Sequence, residues 1–222
     1  MLTDYQTEVT QLVRDDANRI AADDLARAIT AALLRYSADR PRTKVEDVAG
    51  VTGQTMALPP GWQAGYSVLR TLEYPAGQIP PSYIEADRWG MYDAPTGQVT
   101  QLQDALPAAG VTVRANYTIA HVLDDTTDTI PMADRKAVAS YAASLLCAEL
   151  SSFYANQGDS TIQADSVQSQ SRSDAYAKRA RDLRKFYNDS IGVEDKQSAA
   201  AGTVVSISTA ARRQTFFHRT AP

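Results

Sequence analysis

The spacing of hydrophobic positions changes twice along the chain, from a helical period to alternation and back. Tyr5, Val9, Leu12 and Val13 recur at helical spacing behind Thr3-Asp4-Tyr5-Gln6. That string reads as a capping box, in which the Thr3 hydroxyl accepts from a free backbone N–H while Gln6 reaches back. A second helix starts at Asp23 or Asp24 and carries Leu25, Ile29, Leu33 and Tyr36 in one stripe. It stops at Asp39-Arg40-Pro41, because proline disfavours a helical residue before it.

From Arg42 to Ile130 the grammar differs: seven of the ten prolines fall here and punctuate short β-prone runs. The predicted strands are Val45–Val51, Ser67–Tyr74, Tyr83–Tyr92, Gln98–Gln103 and Val111–Val122, with Ala94-Pro95-Thr96-Gly97 as a hairpin turn. In the last run Val111, Val113, Ala115, Tyr117 and Ile119 alternate with Thr112, Arg114, Asn116 and Thr118, the pattern of a half-buried strand. After Pro131 the helical period returns. Val138, Tyr141, Ala142, Leu145, Leu146, Leu150 and Phe153 form a wide apolar face that stops at Asn156-Gln157-Gly158. Ser173-Asp174 then opens a last helix with Tyr176, Ala180, Leu183 and Tyr187 on one side and a basic set on the others.

These elements predict an α+β protein: residues 1–41 and 131–190 form an antiparallel helical bundle, 42–130 an inserted antiparallel β region, and 191–222 an extended C-terminal tail. At 222 residues the chain is long enough for a core without disulfides or structural metal. One cysteine, Cys147, and two histidines, His121 and His218, are too few for a zinc site of the usual four-ligand or three-histidine kinds, so no metal and no cofactor is expected. No stretch reaches the length of a membrane span, and Met1-Leu2-Thr3-Asp4-Tyr5 lacks the basic-then-apolar pattern of a signal peptide, so synthesis in a cytosol and no membrane partner are expected.

The net charge of −4 is unevenly spread. Residues 191–222 hold Lys196, Arg212, Arg213 and Arg219 against Glu194 and Asp195, which leaves 18 − 24 = −6 on the other 190 residues. An acidic body argues against tight, sequence-independent DNA binding.

Phosphate loops, dinucleotide fingerprints, nucleophile elbows and zinc-protease helices are all missing, and no enzyme is expected. Cys147 follows Leu145-Leu146 in the core helix and reads as a small buried hydrophobe. His121, at a strand end near Asp124, Asp125 and Asp128, can be drawn as a His-carboxylate cluster, but solvated loop acids are the plainer account. Ser151 and Ser152 have no neighbouring base. The basic face of Arg172, Lys178, Arg179, Arg181, Arg184 and Lys185 suits an acidic partner or phosphates, while Asp174 and Asp182 sit at salt-bridge spacing that would make it an ordinary solvated face. In the tail, Phe216 and Phe217 beside Arg212 and Arg213 are of the kind that anchor interfaces, and Val204, Val205 and Ile207 suit addition of a strand to a partner's sheet edge.

Five strings taken together carry a family likeness: Asp47-Val48-Ala49-Gly50; Leu72-Glu73-Tyr74-Pro75 with Pro80-Pro81; Tyr117-Thr118 then His121; Asp128-Thr129-Ile130-Pro131; and Tyr176-Ala177-Lys178-Arg179-Ala180-Arg181. From about residue 4 to 190 the chain resembles the head-to-tail connector adaptor proteins of tailed bacteriophages, also called head-completion or neck proteins. The resemblance implies a non-enzymatic virion protein, a helical bundle with a β insertion. Twelve copies would form a ring under the portal after DNA packaging and present a platform for the stopper or tail protein.

DNA would pass through the lumen without specific binding, and a dodecamer body charge of about −70 suits a sliding surface. Adaptors of this family reach the portal with extended terminal segments, which assigns Val204, Val205, Ile207, Arg212, Arg213, Phe216 and Phe217 to portal binding. Lys178, Arg181 and Arg184 are expected between subunits. The alternative from another class is a carbohydrate- or ligand-binding module that stacks its ligand on Trp62, Tyr66, Tyr74, Tyr83, Trp89 and Tyr92 of the β insert. A hydrolase working through His121 is the third.

Overall fold

A computed structural model describes residues 1–15, 17–51, 53–95, 97–104, 110–156 and 163–193. The fold is α+β, and its helices come from both ends of the described chain. Helix α1 (Leu2–Val13) buries Tyr5, Val9 and Val13. It begins one residue before Thr3, so the expected capping box does not form. Thr3 is already helical, and its carbonyl accepts from the Thr7 hydroxyl at 2.9 Å. Helix α2 (Ala22–Asp39) ends where Pro41 forbids continuation. Its N-cap is Ala21 rather than Asp23 or Asp24, and Asp24 instead reaches back to accept from the Ala21 N–H at 3.2 Å.

Helix α3 (Arg135–Asn156) is the centre of the bundle. Its buried side chains are mostly small and lie on every face, from Ala137 and Val138 to Ala143, Leu146, Cys147 and Leu150, so neighbouring helices can approach it closely. Phe153 does not join this core and is partly exposed, because Tyr154, one residue on, turns inward in its place. Helix α4 (Gln163–Ile191) starts ten residues before the expected Ser173-Asp174. Ser173 is buried within it and donates to the Ser151 carbonyl of α3 at 2.9 Å, so its hydroxyl ties two helices together instead of capping one.

The insert holds two sheets. β1 (Arg42–Val51), β3 (Leu69–Glu73), β4 (Tyr83–Ile84) and β7 (Val111–Ile119) form one in the order β1-β7-β3-β4, all antiparallel. β2 (Thr55–Met56), β5 (Trp89–Ala94) and β6 (Gly97–Leu102) form the other, in the order β2-β6-β5. The predicted hairpin joins β5 to β6, with Ala94 opposite Gly97. The long run expected over Tyr83–Tyr92 is broken at Ala86–Arg88 by a 3-10 turn, and the last strand ends at Ile119. On β7 the alternation holds: Val113, Ala115, Tyr117 and Ile119 face the core with Val48, Val51, Leu69 and Leu72. Met56, Leu102 and Trp89 bring the second sheet against the same core.

Bundle and insert have separate apolar cores. Within the insert Glu46 acts as a clamp: it accepts from Tyr117 Oη at 2.5 Å and from the Gly61 N–H at 2.9 Å, and pairs with Lys44 at 2.5 Å. Those donors, Lys44 foremost, hold its carboxyl down at about 2. A Cβ on Gly61 would lie 2.5 Å from Tyr117 Oη and 2.6 Å from Lys44 Nζ. Tyr117 is fully buried and cannot swing away. Gly61→Ala is therefore expected to cost about 2 kcal/mol, the scale of an overpacked site, read as a lower urea midpoint with unchanged slope.

Candidate functional site

Of the groups singled out in the sequence, His121 and Tyr66 lie at the seam between bundle and insert, where the fold uses them. His121 leaves β7 and is buried against Tyr36, the ring centroids 4.8 Å apart. Its Nε2 lies 2.9 Å from the Arg40 carbonyl, and its Nδ1 lies 3.0 Å from the Thr129 carbonyl and 3.2 Å from the Thr129 hydroxyl. Each ring nitrogen thus faces a carbonyl acceptor, and the neutral ring, with one N–H, can donate to only one of the two. The expected acids are elsewhere. Asp124 accepts from the Thr126 and Thr127 N–H groups in its own turn, and Asp128 pairs with Arg135 at 2.8 Å.

Around His121 the seam is polar. The Ser37 hydroxyl accepts from the His121 N–H at 3.0 Å, and the Ser37 carbonyl accepts from Tyr66 Oη. Asp134, at the entry to α3, accepts from Tyr36 Oη at 2.6 Å and from Arg40 Nη1 at 2.9 Å, and Arg40 Nη2 donates to the Ile191 carbonyl of α4 at 2.9 Å. One guanidinium thus joins α2, α3 and the C-terminal end of α4, where a cation also meets the negative end of the helix dipole. Such an arrangement fixes a junction.

Burial holds the His121 imidazole below its ordinary value of 6.5, with the two carbonyls partly offsetting this. The folded protein therefore binds this proton less readily than the unfolded chain, and stability should fall as pH drops below about 6.5. Melting temperatures at about pH 7.5 and 5.5 should show the loss, and His121→Gln should abolish most of the difference. Glu46 acts in a lower window. Its carboxylate contribution is complete above its ordinary 4.5 and is lost as pH falls toward about 2.

Cys147 is fully buried in α3, where burial pushes its thiol up to about 11, the state of an inert core residue. Ser151 meets Ser173 across the α3–α4 contact at 3.3 Å. Among the described residues no cluster of three or more His, Cys, Asp or Glu is placed to hold a metal ion, and no helix is long and apolar enough to cross a membrane.

The basic set on α4 divides. Arg179 donates to the Val13 carbonyl at 2.9 Å and Arg172 lies over the Tyr154 ring at 5.8 Å, so both are tied to the bundle. Lys178 borders a groove between α1 and α4, whereas Arg181, Arg184 and Lys185 line a different depression of about 910 Å³. Asp182 lines both depressions, and Lys178, Arg181 and Arg184 follow one another at three-residue spacing along α4. Neither Asp174 nor Asp182 pairs with a basic side chain among the described residues. Salt bridges do not neutralise this helix face.

The aromatic residues of the insert are likewise divided. Trp62 packs on Tyr117 with centroids 5.7 Å apart, Tyr74 and Trp89 lie against the insert core, and Tyr66 is spent on the seam. Of the six, Tyr83 and Tyr92 are the exposed ones, each by about half, and they stand on different sheets. What sequence reasoning missed is where these exposed groups sit. β4 and β5 are the outer strands of their sheets, and Ile79, Tyr83, Met91 and Tyr92 stand on or beside them. The tail candidates Val204, Val205, Ile207, Arg212, Arg213, Phe216 and Phe217, and His218, lie outside the described residues.

No protein-family model matches the chain, and no curated protein matches it. Among solved structures it is similar to a chain in the neck of an empty GTA particle with C6 symmetry, at 17% identity over 64% of this chain and 76% of that one, with a TM-score of 0.28. It is similar also to a chain in the neck of a native GTA particle with C12 symmetry, at 17% identity over 64% of this chain and 78% of that one, with a TM-score of 0.27.

Proposed function

We propose that the chain is a non-enzymatic structural protein of a phage-type neck. In this reading it is an adaptor that assembles as a dodecameric ring under the portal after DNA packaging and joins the head to the stopper or tail protein. It is made in the bacterial host cytoplasm and ends in the virion, where DNA passes through its lumen during ejection.

One observation carries the reading: β4 and β5, each at one edge of its sheet, carry or adjoin large apolar side chains that face water. Ile79 is 99% exposed, Tyr83 57%, Tyr92 51% and Met91 39%. Unpaired strand edges with apolar groups are costly in a free monomer and are the surfaces that an assembly covers. The α+β architecture agrees with what the sequence resemblance implies. The seam supports it from the other side, because His121, Ser37 and Tyr66 are spent on holding bundle and insert together. The tail, from its position after α4, supplies the contact with the portal, and the Arg181 and Arg184 surface meets the acidic face of a neighbouring subunit.

The test is to mix the purified protein with a portal ring from the same genome and to measure mass by light scattering or native mass spectrometry. Twelve copies per portal is the expected result; a protein that stays monomeric beside its own folded portal would end the adaptor reading. Truncation at about residue 200 should leave a folded protein that no longer docks, since ordering a tail is offset only by the contacts it makes on the partner. Undiminished docking of that variant would exclude the tail. Arg181→Glu with Arg184→Glu should impair ring formation, and normal rings from that variant would exclude these arginines from the subunit contact.

A further inference from the structure

α1 and α4 both pack on α3 but barely on each other. A groove of about 500 Å³ opens between them, its apolar wall made by Leu12, Leu183 and the partly exposed Phe186. At Ala175 and Arg179 it continues into a cleft of about 610 Å³ beside Tyr154 and Tyr176. From Arg172 to Phe186 this trough follows α4 for about 21 Å, the length of four helical turns.

The rim is basic. Lys136, Lys178 and Arg179 border the groove, Arg14, Arg172 and Arg179 border the cleft, and among the described residues Asp182 is the one carboxylate lining either. Several of these cations are held in position: Lys136 lies 5.6 Å from the Phe186 ring centroid, Arg172 lies over Tyr154, and Arg179 is anchored on Val13. None of the five pairs with a carboxylate among the described residues, although Arg27, Arg35, Arg40, Arg88, Arg114 and Arg135 all do. An apolar floor framed by cations that form no ion pair among the described residues, on a chain that is acidic overall, selects its occupant by charge.

We propose that this trough receives an amphipathic, acidic helical segment of a partner protein, its apolar side chains on Leu12, Leu183 and Phe186 and its carboxylates on the flanking cations. The chain's own tail is a poor match, since beyond Val193 it carries Lys196, Arg212, Arg213 and Arg219 against Glu194 and Asp195. Duplex DNA would have no use for the apolar wall. The site goes beyond the adaptor reading and does not depend on it, because neither Arg181 nor Arg184 lines it.

The probe is a fluorescent peptide of about 14 residues with leucines along one helical face and glutamates beside them, followed by anisotropy on the full chain at low salt. The peptide should bind, weaken steeply by about 0.5 M salt, and lose at least tenfold in affinity with Phe186→Glu or with Lys178→Glu plus Arg172→Glu. Arg181→Glu with Arg184→Glu should leave affinity within about twofold, which separates this site from the subunit contact. Circular dichroism and melting confirm that each variant is folded. The proposal is overturned if the peptide does not bind, if a lysine-for-glutamate version binds equally, or if the trough variants bind as well as the parent. It is equally overturned if duplex DNA displaces the peptide completely, or if Phe186→Glu dissolves a self-association that already fills the trough.

Discussion

Asp134→Ala lowers the stability of the fold by about 3 kcal/mol, more than any exposed ion pair of the molecule would cost. The reasoning starts from what the carboxylate leaves behind. Tyr36 is buried and donates its hydroxyl proton to Asp134 at 2.6 Å. Burial, followed by the bond to that carboxylate, holds the phenol well above its ordinary range, so it remains a donor at every accessible pH. With alanine in place it is a buried, unpaired hydroxyl, which by itself costs about 1–3 kcal/mol. Arg40 loses its partner too, but its side chain is about half exposed and water recovers part of that loss. Urea denaturation measures the sum. Asp134→Asn, which keeps an acceptor for Tyr36, should recover about half, and in Tyr36→Phe the Asp134→Ala loss should shrink by at least 1 kcal/mol, the coupling expected of a direct contact. A loss below about 1 kcal/mol in the single variant would mean that the seam is held by apolar contact alone.

Much of the fold was legible because local rules and tertiary packing agree. Pro41 and Pro131 bracket the insert, the alternation of Val113, Ala115 and Tyr117 sets the core face of β7, and the Ala94 to Gly97 hairpin lies where its turn residues put it. The misses have physical causes. Thr3 and Ser173 have the chemistry of N-caps, but a hydroxyl in a helix has a second use, bonding backwards or across to another helix, and packing chooses that use. Phe153 and Tyr154 are adjacent aromatics, and periodicity cannot tell which of the two a curved contact with Tyr176 selects; the stacked Tyr154 and Tyr176 rings, 5.7 Å apart, decide it. The seam was the least legible part. Asp134, Arg40 and Ile191 are 94 and 151 residues apart in sequence and show no pattern there, and His121 drew attention to Asp124, Asp125 and Asp128 when its partners are backbone carbonyls. The exposed groups on β4 and β5 became meaningful only once strand order showed both to be outer strands.

Leu146→Ala should be the most damaging of the apolar truncations, at about 3–4 kcal/mol, and it tests whether two cores make one protein. Leu146 is fully buried on the central helix, among side chains of α1, α2 and α4. Helices anchored from several sides close poorly over a lost isobutyl group, so the cost holds both the transfer of the removed atoms and the cavity left behind. Both tryptophans, Trp62 and Trp89, lie in the insert, whereas the helical signal of circular dichroism comes from the bundle. Fluorescence and dichroism therefore follow the two cores separately in one urea titration. Of the insert's residues, Ile130 sits in the bundle core and Leu123 packs against it, so a loss at Leu146 reaches the insert through these apolar contacts and through the polar seam of Tyr36, Ser37, Arg40, Tyr66 and His121. The seam groups are buried or half-buried hydrogen-bonding partners that would be left unsatisfied if one side opened alone, which makes independent opening costly. Both probes should consequently shift together to a lower midpoint, and Leu72→Ala, in the insert core, should move the dichroism transition in turn. Separate midpoints for fluorescence and dichroism in Leu146→Ala would show instead that the polar seam orients the insert without coupling its stability to the bundle, and each core would then have to be treated as a folding unit of its own.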